Sequence, residues 1–377
     1  MLSLLRKIGR RETLACLLAS ALLLPAGTAD ASPLPDAGGK QTYAAGSRTE
    51  TAAKPESRKP GSGPAAAGKP AGDPLADRRQ LYDQMEAVTG IPWYRLAAVD
   101  QYERSLARSR KDNPPASGRL TAIRFTPEAW SGPMNPDSSD TNPASIRFFR
   151  GLGRDGSGDG RADPQNDTDV LTAIADVLGP HGISDSDFAI AVWEYYHNGR
   201  ASQRIGQYIK LYRHFGRLDL SGGAFPLPVG NKYAYRSTWG TGRSWGGARI
   251  HEGTDLFAPH GTTVRSTCIG VIETKGWNRF GGWRIGIRDI EGRYHYYAHL
   301  SGFDKSLKQG DIVSPGQTIG WVGSSGYGKP GTQGKFPPHL HFGVYKDRGL
   351  TEWAFDPYPL LRQWEQQERQ RIKRGKH

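Results

Sequence analysis

The sequence predicts an α+β multidomain protein, with a helical domain followed by a mostly antiparallel β domain. Three observations predict it. From Pro74 to about Leu218, apolar residues recur at three- and four-residue spacing, as in RRQLYDQMEAVTG and YRLAAVDQYERSLA, the period of an amphipathic helix. After Ser221 the chain turns to short, glycine-punctuated runs with β-branched residues, such as TTVRSTCIGVIETKG and WRIGIRDI, which read as strands. The length of 377 residues leaves room for two or three domains, and no repeat of solenoid period runs through them.

The start, MLSLLRKIGRR, is basic, and is followed by the apolar run Leu14 to Leu24, then Pro25 and Ala29-Asp30-Ala31. This is the plan of a secretory signal peptide over residues 1–31, cleaved after Ala31. The run is too short to span a bilayer permanently, so a membrane enters only if the segment is retained. Cys16 lies near the start of the apolar run, whereas a lipoprotein cysteine would follow it. Removal of the signal leaves Cys268 as the only cysteine, so the domains must stand on packed cores without a disulfide. Residues 32–73 are Pro, Gly, Ala, Ser and Lys with almost no large apolar side chains. Such a segment cannot bury enough surface to order itself and is expected to be a disordered linker.

The helical domain is expected over 74–218. Gly90, Ile91 and Pro92 separate its first two helices as an end and a restart. DTDVLTAIADVLGPHG and SDSDFAIAVWEYYHNG each open on an Asp or Ser cap and close on Gly, and ASQRIGQYIKLYRHF is another helix. Between them, Asp155-Gly-Ser157-Gly-Asp159-Gly160-Arg161-Ala-Asp163 has the start of an EF-hand loop. Oxygen ligands stand at positions one, three, five and nine, and glycine at six. Position twelve is Asn166 rather than a bidentate Glu. Weak Ca2+ binding by Asp155, Ser157, Asp159 and Asp163 is one expectation. A Gly/Asp-rich turn that caps the next helix with Asp167 or Asp169 is the other.

The β domain is expected over 222–361, with a basic tail over 362–377. It contains His251-Glu252-Gly253-Thr254-Asp255, Tyr297-Ala298-His299-Leu300 and His339-Leu340-His341. Together these offer two imidazoles and a carboxylate for a metal, with two imidazoles left for proton transfer. Three protein ligands leave the fourth tetrahedral position open, which separates a catalytic zinc from a structural one. Alternation in a strand points His339 and His341 to one face, and likewise His295, Tyr297 and His299. His251 and Asp255 would stand roughly 13 Å apart in a straight strand. They share an ion only if the chain turns between them, which Gly253 permits.

The order H-x-x-x-D, Y-x-H-L, H-L-H resembles the lysostaphin-like (M23) zinc endopeptidases of peptidoglycan. The resemblance covers about Phe225 to Pro359 and includes HEGTDLFAPHGTTV, the turn at Gly270-Val271 and GDIVSPGQTIGWVGSSG. It implies an open antiparallel sheet with a groove, His251, Asp255 and His341 as zinc ligands, and His299 and His339 as the catalytic histidines. Zinc lowers the pKa of bound water to about 7, and neutral imidazoles exchange protons near that pH. The activity implied is hydrolysis of a stem-peptide or cross-bridge amide in the bacterial wall. The alternative is a wall-binding scaffold with inactive sites.

The helical domain in turn resembles the lysozyme-like fold of lytic transglycosylases. The matching pieces are LAAVDQYE ending at Glu103, IRFTPEAWSG, DGSGDGRADPQNDTDVLTAIADVL and EYYHN. The resemblance implies Glu103 as a general acid toward the glycan, which would make the protein a bifunctional autolysin; the other readings are a glycan-binding module with that acid idle, and an ordinary solvated helix glutamate. Arg104 stands where that family has Ser or Thr, and an adjacent cation lowers a carboxyl pKa where a general acid needs it raised.

The formal net charge is +13 and the pI about 9.7, a balance that attracts polyanions. Export argues against nucleic acid as the partner. Stem-peptide carboxylates and the phosphates of anionic wall polymers fit better, at a secreted, cell-wall location. His260, between proline and glycine, reads as a loop residue, His295 as a strand histidine with a polar neighbour, and Cys268 as buried. Trp239, Trp245, Trp277, Trp283 and the pair Tyr296-Tyr297 offer flat faces of the kind sugar and peptide grooves use, and most of them read as core packing of the small sheet domain. Arg249, two before His251, can meet a substrate carboxylate.

Overall fold

Side-chain caps and turn residues set the helix limits. In the computed structural model, which describes residues 74–110, 118–182, 184–243 and 248–375, the first seven helices are α1 (Pro74–Thr89), α2 (Trp93–Arg110), α3 (Pro127–Ser131), α4 (Pro143–Phe148), α5 (Asp167–Leu178), α6 (Asp185–Tyr196) and α7 (Gly199–Phe215). The expected signal and linker over 1–73 lie outside the described residues. Ser184 and Asp187 form a reciprocal capping box on α6, which satisfies two otherwise orphaned donors. On α5 the cap is Asn166, which accepts from the amides of Thr168 and Asp169, rather than Asp167 or Asp169.

Burial of the apolar stripes of α1, α2, α5, α6 and α7 creates one core, with Tyr82, Leu96, Leu171, Ile174 and Tyr208 almost wholly enclosed. A buried carboxylate ties three segments together inside it. Asp100 accepts from Arg78 at 2.9 Å, from the Tyr82 hydroxyl at 2.7 Å, from Arg104 at 3.1 Å and from the Ala122 amide at 2.5 Å. The two guanidiniums and these donors hold its carboxyl below the usual range against the opposing effect of burial.

The strands are β1 (Ala234–Tyr235), β2 (Gly242–Arg243), β3 (Arg249–Ile250), β4 (Thr254–Phe257), β5 (Thr263–Arg265), β6 (Gly270–Asn278), β7 (Gly282–Asp289), β8 (Arg293–Phe303), β9 (Ile312–Val313), β10 (Thr318–Val322), β11 (His339–Asp347) and β12 (Glu352–Phe355). Ten of them form one antiparallel sheet with the path β1-β4-β11-β8-β7-β6-β9, β12 pairing with β11, and β10 with both β5 and β8. β2 and β3 form a separate two-stranded ribbon. The non-local neighbours β4, β11 and β8 lie side by side, and these strands carry Asp255, His339, His341 and His299.

Residues 358–374 do not form a solvated basic tail. They make a helix, α8 (Tyr358–Arg374), that packs Leu361 and Trp364 into the sheet core. Glu365 accepts from the hydroxyls of Tyr233 and Tyr235, both at 2.6 Å. The basic residues seen in the sequence are one face of an amphipathic helix whose other face is apolar.

Helices and sheet belong to one compact unit. Ile269, Val271 and Ile290 of the sheet part join the helical core. Arg204 of α7, almost fully buried, bonds Glu273 at 2.8 Å, Asp347 at 2.9 Å and Glu352 at 3.0 Å. Arg288 of β7 reaches Glu273 and Glu352 from the other side. Two arginines and three carboxylates therefore satisfy one another, as burial of charge requires.

Candidate metal centre

Cross-strand register builds the centre. In the β4–β11 pair, His341 lies directly opposite Asp255 and Leu340 opposite Leu256, so Asp255 and His341 share one face while both leucines enter the core. His251 follows β3 and is brought back by bonds from its amide to the Thr241 carbonyl and from the Gly240 amide to its own carbonyl. Gly253 is needed for space rather than for an unusual backbone angle. A Cβ there would lie 2.6 Å from His341 Cε1 and 2.7 Å from the Phe342 carbonyl oxygen.

Three donor atoms converge. His251 Nε2 is 3.1 Å from Asp255 Oδ1 and 3.0 Å from His341 Nδ1, and His341 Nδ1 is 3.0 Å from Asp255 Oδ1. Around a tetrahedral ion with bonds of roughly 2.0–2.1 Å, ligand atoms stand about 3.3 Å apart, so the trio needs only slight opening to hold one. It is the only such group of His, Cys, Asp and Glu side chains among the described residues. The His251 Nδ1–H donates to the Thr238 carbonyl at 3.0 Å, which leaves Nε2 as the ligand atom and fixes the ring. Burial opposes ionisation of Asp255, but His251 and His341 hold its carboxyl far below the usual range. Arg243 donates to the outer oxygen, Oδ2, at 2.5 Å.

The remaining two imidazoles reach the same cavity by different routes. His339 stands two residues before His341 on β11, and its Nδ1–H donates to the Pro337 carbonyl at 2.7 Å. His299 departs from the expected alternation. His295 and Tyr297 point into the core and are fully buried, whereas Tyr296 and Ala298 line the cavity. Strict alternation would send His299 inward with the first two. Instead it adopts φ 61° where the register against β7 shifts, and this bulge turns its ring into the cavity, 4.7 Å from that of His339. Its Nδ1–H donates to the Ser325 carbonyl at 2.8 Å. Burial, with His339 and His341 beside it, pushes its pKa down to about 3, so the ring is neutral.

The cavity, of about 170 Å³, is lined by these five residues and by Arg243, Arg249, Tyr296, Tyr327 and Tyr345 among others. Tyr327 stacks on His299 at 5.4 Å with 16° between the planes, and it too has positive φ, 62°. Arg243, Tyr327 and Tyr345 were not picked out by sequence, because they reach the site through pairing and loop paths that leave no local spacing. Among the tryptophans, Trp277 and Trp283 pack edge to face at 5.2 Å, and neither lines the cavity. Trp245 lies outside the described residues. His260 is exposed in a turn. His295 bonds Asp289 and Thr267 within the core, and Cys268 is buried, which raises its thiol pKa.

The other predicted site residues are elsewhere. Asp155, Asp159 and Asp163 do not converge on a common point. Asp155 accepts from the amides of Gly158, Asp159 and Gly160, Asp159 from that of Arg161 and Asp163 from that of Gln165. Ser157 donates its hydroxyl to Asp155, and its amide goes to buried Asp169. The loop is a set of Asx turns, and its geometry gives the calcium expectation no support. Glu103 lies on α2 and accepts from the Tyr196 hydroxyl at 2.7 Å. Arg104, expected to lower its pKa, is turned instead to Asp100 and the Leu120 carbonyl.

Comparison with known proteins agrees with the centre. The sequence profile described as "Peptidase family M23" matches residues 249–357. An L-Ala–D-Glu endopeptidase of Bacillus subtilis (strain 168) is 55% identical over 311 residues, 82% of this chain and 95% of that protein. Lysostaphin of Staphylococcus staphylolyticus is 38% identical over 115 residues, 30% of this chain and 22% of its own length. The solved catalytic domain of lysostaphin from Staphylococcus simulans aligns with a TM-score of 0.28 at 33% identity, over 35% of this chain and 93% of that chain. The Bacillus match is too long for the sheet part alone and carries the helices with it, under a peptidase name; the lysozyme-like reading of the helices gains no support. Donor set and sequence identity lead to one conclusion: the chain belongs to peptidase family M23 and is a metal-dependent endopeptidase of peptidoglycan.

Proposed function

We propose that this protein is a zinc enzyme that hydrolyses the amide between L-Ala and D-Glu in the stem peptide of peptidoglycan, outside the cytoplasmic membrane. The single observation that carries the chemistry is the meeting of His251 Nε2, Asp255 Oδ1 and His341 Nδ1 beside two further imidazoles in one cavity. The bond assignment is supported by the 55% identity to the Bacillus endopeptidase of that name.

His251, Asp255 and His341 would hold the zinc. When bound, it supplies a Lewis acid and lowers the pKa of a water. The chain's own residues do the rest. His299 and His339 spend their Nδ1 protons on backbone carbonyls, so their Nε2 atoms are free to act in the cavity. One takes a proton from the attacking water and passes it to the departing D-Glu nitrogen as the C–N bond breaks. The other donates from Nε2 to the carbonyl oxygen as negative charge develops there, which requires its doubly protonated, imidazolium form because Nδ1 already holds a proton. Tyr327, stacked on His299, and the bond to Ser325 hold that ring in place before substrate arrives.

Digestion of purified wall sacculi, with mass spectrometry of the products, tests the proposal. New D-Glu amino termini that vanish with a chelator and return with zinc are expected. New amino termini at another stem or cross-bridge residue would reject the bond assignment. Anhydro-sugar ends that persist in wild type but not in Glu103→Gln would add glycan cleavage.

A further inference from the structure

The ribbon of β2 and β3 sets two arginines directly opposite each other, Arg243 against Arg249. Both line the cavity that holds His251, His299 and His339. Like charges opposed on a short ribbon destabilise it, and an anion beside either one relieves the repulsion. Arg243 has one, the outer oxygen of Asp255. Among the described residues Arg249 makes no ion pair. Its guanidinium lies 5.3 Å from the Phe280 ring centroid and bonds the Tyr327 phenol. Phe280 and Tyr327 line the same cavity. The cation is thus steadied by an aromatic face and a neutral hydroxyl, neither of which cancels its charge. Glu252, the other acidic side chain on the cavity wall, pairs with neither arginine.

The substrate can supply the missing anion. D-Glu continues the stem peptide through its side-chain carboxyl, so its α-carboxylate is free. That group sits on the carbon bonded to the scissile nitrogen, two covalent bonds from the atom that must leave. Few peptide linkages carry a charge so close to the bond that breaks. A guanidinium matches a carboxylate with two parallel hydrogen bonds.

We infer that Arg249 is a specificity-determining residue that receives the free α-carboxylate of the residue on the amine side of the scissile bond. This rests on the L-Ala–D-Glu reading above. It separates the two arginines by task. Arg243 orients a metal ligand, and Arg249 selects an acid over its amide.

The test uses the full chain loaded with zinc and two synthetic peptides, N-acetyl-L-Ala-γ-D-Glu-L-Lys and the same peptide with the α-carboxyl converted to the carboxamide. Wild type should favour the acid by about tenfold to a hundredfold in kcat/KM, the yield of a hydrogen-bonded charge pair. Arg249→Gln should bring the acid-to-amide ratio of kcat/KM down to about one. Its zinc content should equal that of wild type, which separates lost selection from a lost metal centre. Equal cleavage of both peptides by wild type would overturn the inference, as would a preference retained in Arg249→Gln. Failure of the bond assignment looks different: neither peptide is cut, while intact sacculi release amino termini other than D-Glu, and the inference falls with it.

Discussion

Asp255 Oδ1 and His341 Nδ1 face each other at 3.0 Å across neighbouring antiparallel strands, eighty-six residues apart in the chain. The register that opposes these two residues also fixes His339 two positions along the same face. The proposed ligand and the proposed proton carrier therefore sit on one rigid strand, with no loop between them.

His341→Ala should lose both the metal and hydrolysis, whereas His339→Ala should keep the metal and lose about a hundredfold to ten-thousandfold in kcat, the span of a positioned acid–base group. Metal content by elemental analysis, set beside turnover, distinguishes them. Full activity in either variant would reject the roles assigned here.

Gly253→Ala puts a methyl where His341 Cε1 and the Phe342 carbonyl already stand. The imidazole must move, and overpacking should cost about 1–3 kcal/mol of stability. Metal affinity, read by chelator competition, should fall by about tenfold to a hundredfold. An unchanged affinity would show that His341 has room the structure does not display.

Zinc binds the folded state through residues that unfolding scatters, so saturating metal should raise the stability by about 4 kcal/mol at a thousand times Kd. Thermal scans with and without a chelator read this directly. In Asp255→Ala the difference should vanish. Calcium added to the zinc-loaded protein should leave Tm unchanged, because the 155–163 loop has already spent its carboxylates on backbone amides.

Arg204→Ala leaves Glu273, Asp347 and Glu352 short of a partner between helices and sheet. Breaking such a buried network from one side should cost about 3–5 kcal/mol, and replacing the charges together by apolar residues far less. Denaturant unfolding of Arg204→Ala and of a variant with Arg204, Arg288 and all three carboxylates made apolar would compare the two.

Asp100 gives stability a defined pH dependence. Its carboxyl is held low in the folded state by Arg104, Arg78, Tyr82 and the Ala122 amide, so its contribution is fully present above the unfolded value of about 3.9 and is lost as pH falls through the folded one. The stability gap between wild type and Asp100→Asn should be constant near neutrality and shrink in acid. A gap that widened in acid would contradict the assignment.

The sequence alone determined the helical-then-β order, the donors and much of their grouping. Three- and four-residue spacing, alternation along β11 and the H-x-x-x-D and H-x-H fragments are properties of adjacent residues, so they can be read without a fold. Only the tertiary structure decided on which side of its strand His299 falls, because a bulge depends on how β8 pairs with β7. It also decided that Gly253, where the chain bends, is needed for close approach to His341 rather than for a left-handed backbone angle, that the basic tail is a packed helix, and that the aspartates of 155–163 close a loop on its own amides. Arg243 meets Asp255, and Arg204 its three carboxylates, by contacts between strands and helices distant in the chain. No local pattern encodes such contacts, since they exist only once the hydrophobic core has drawn those elements together.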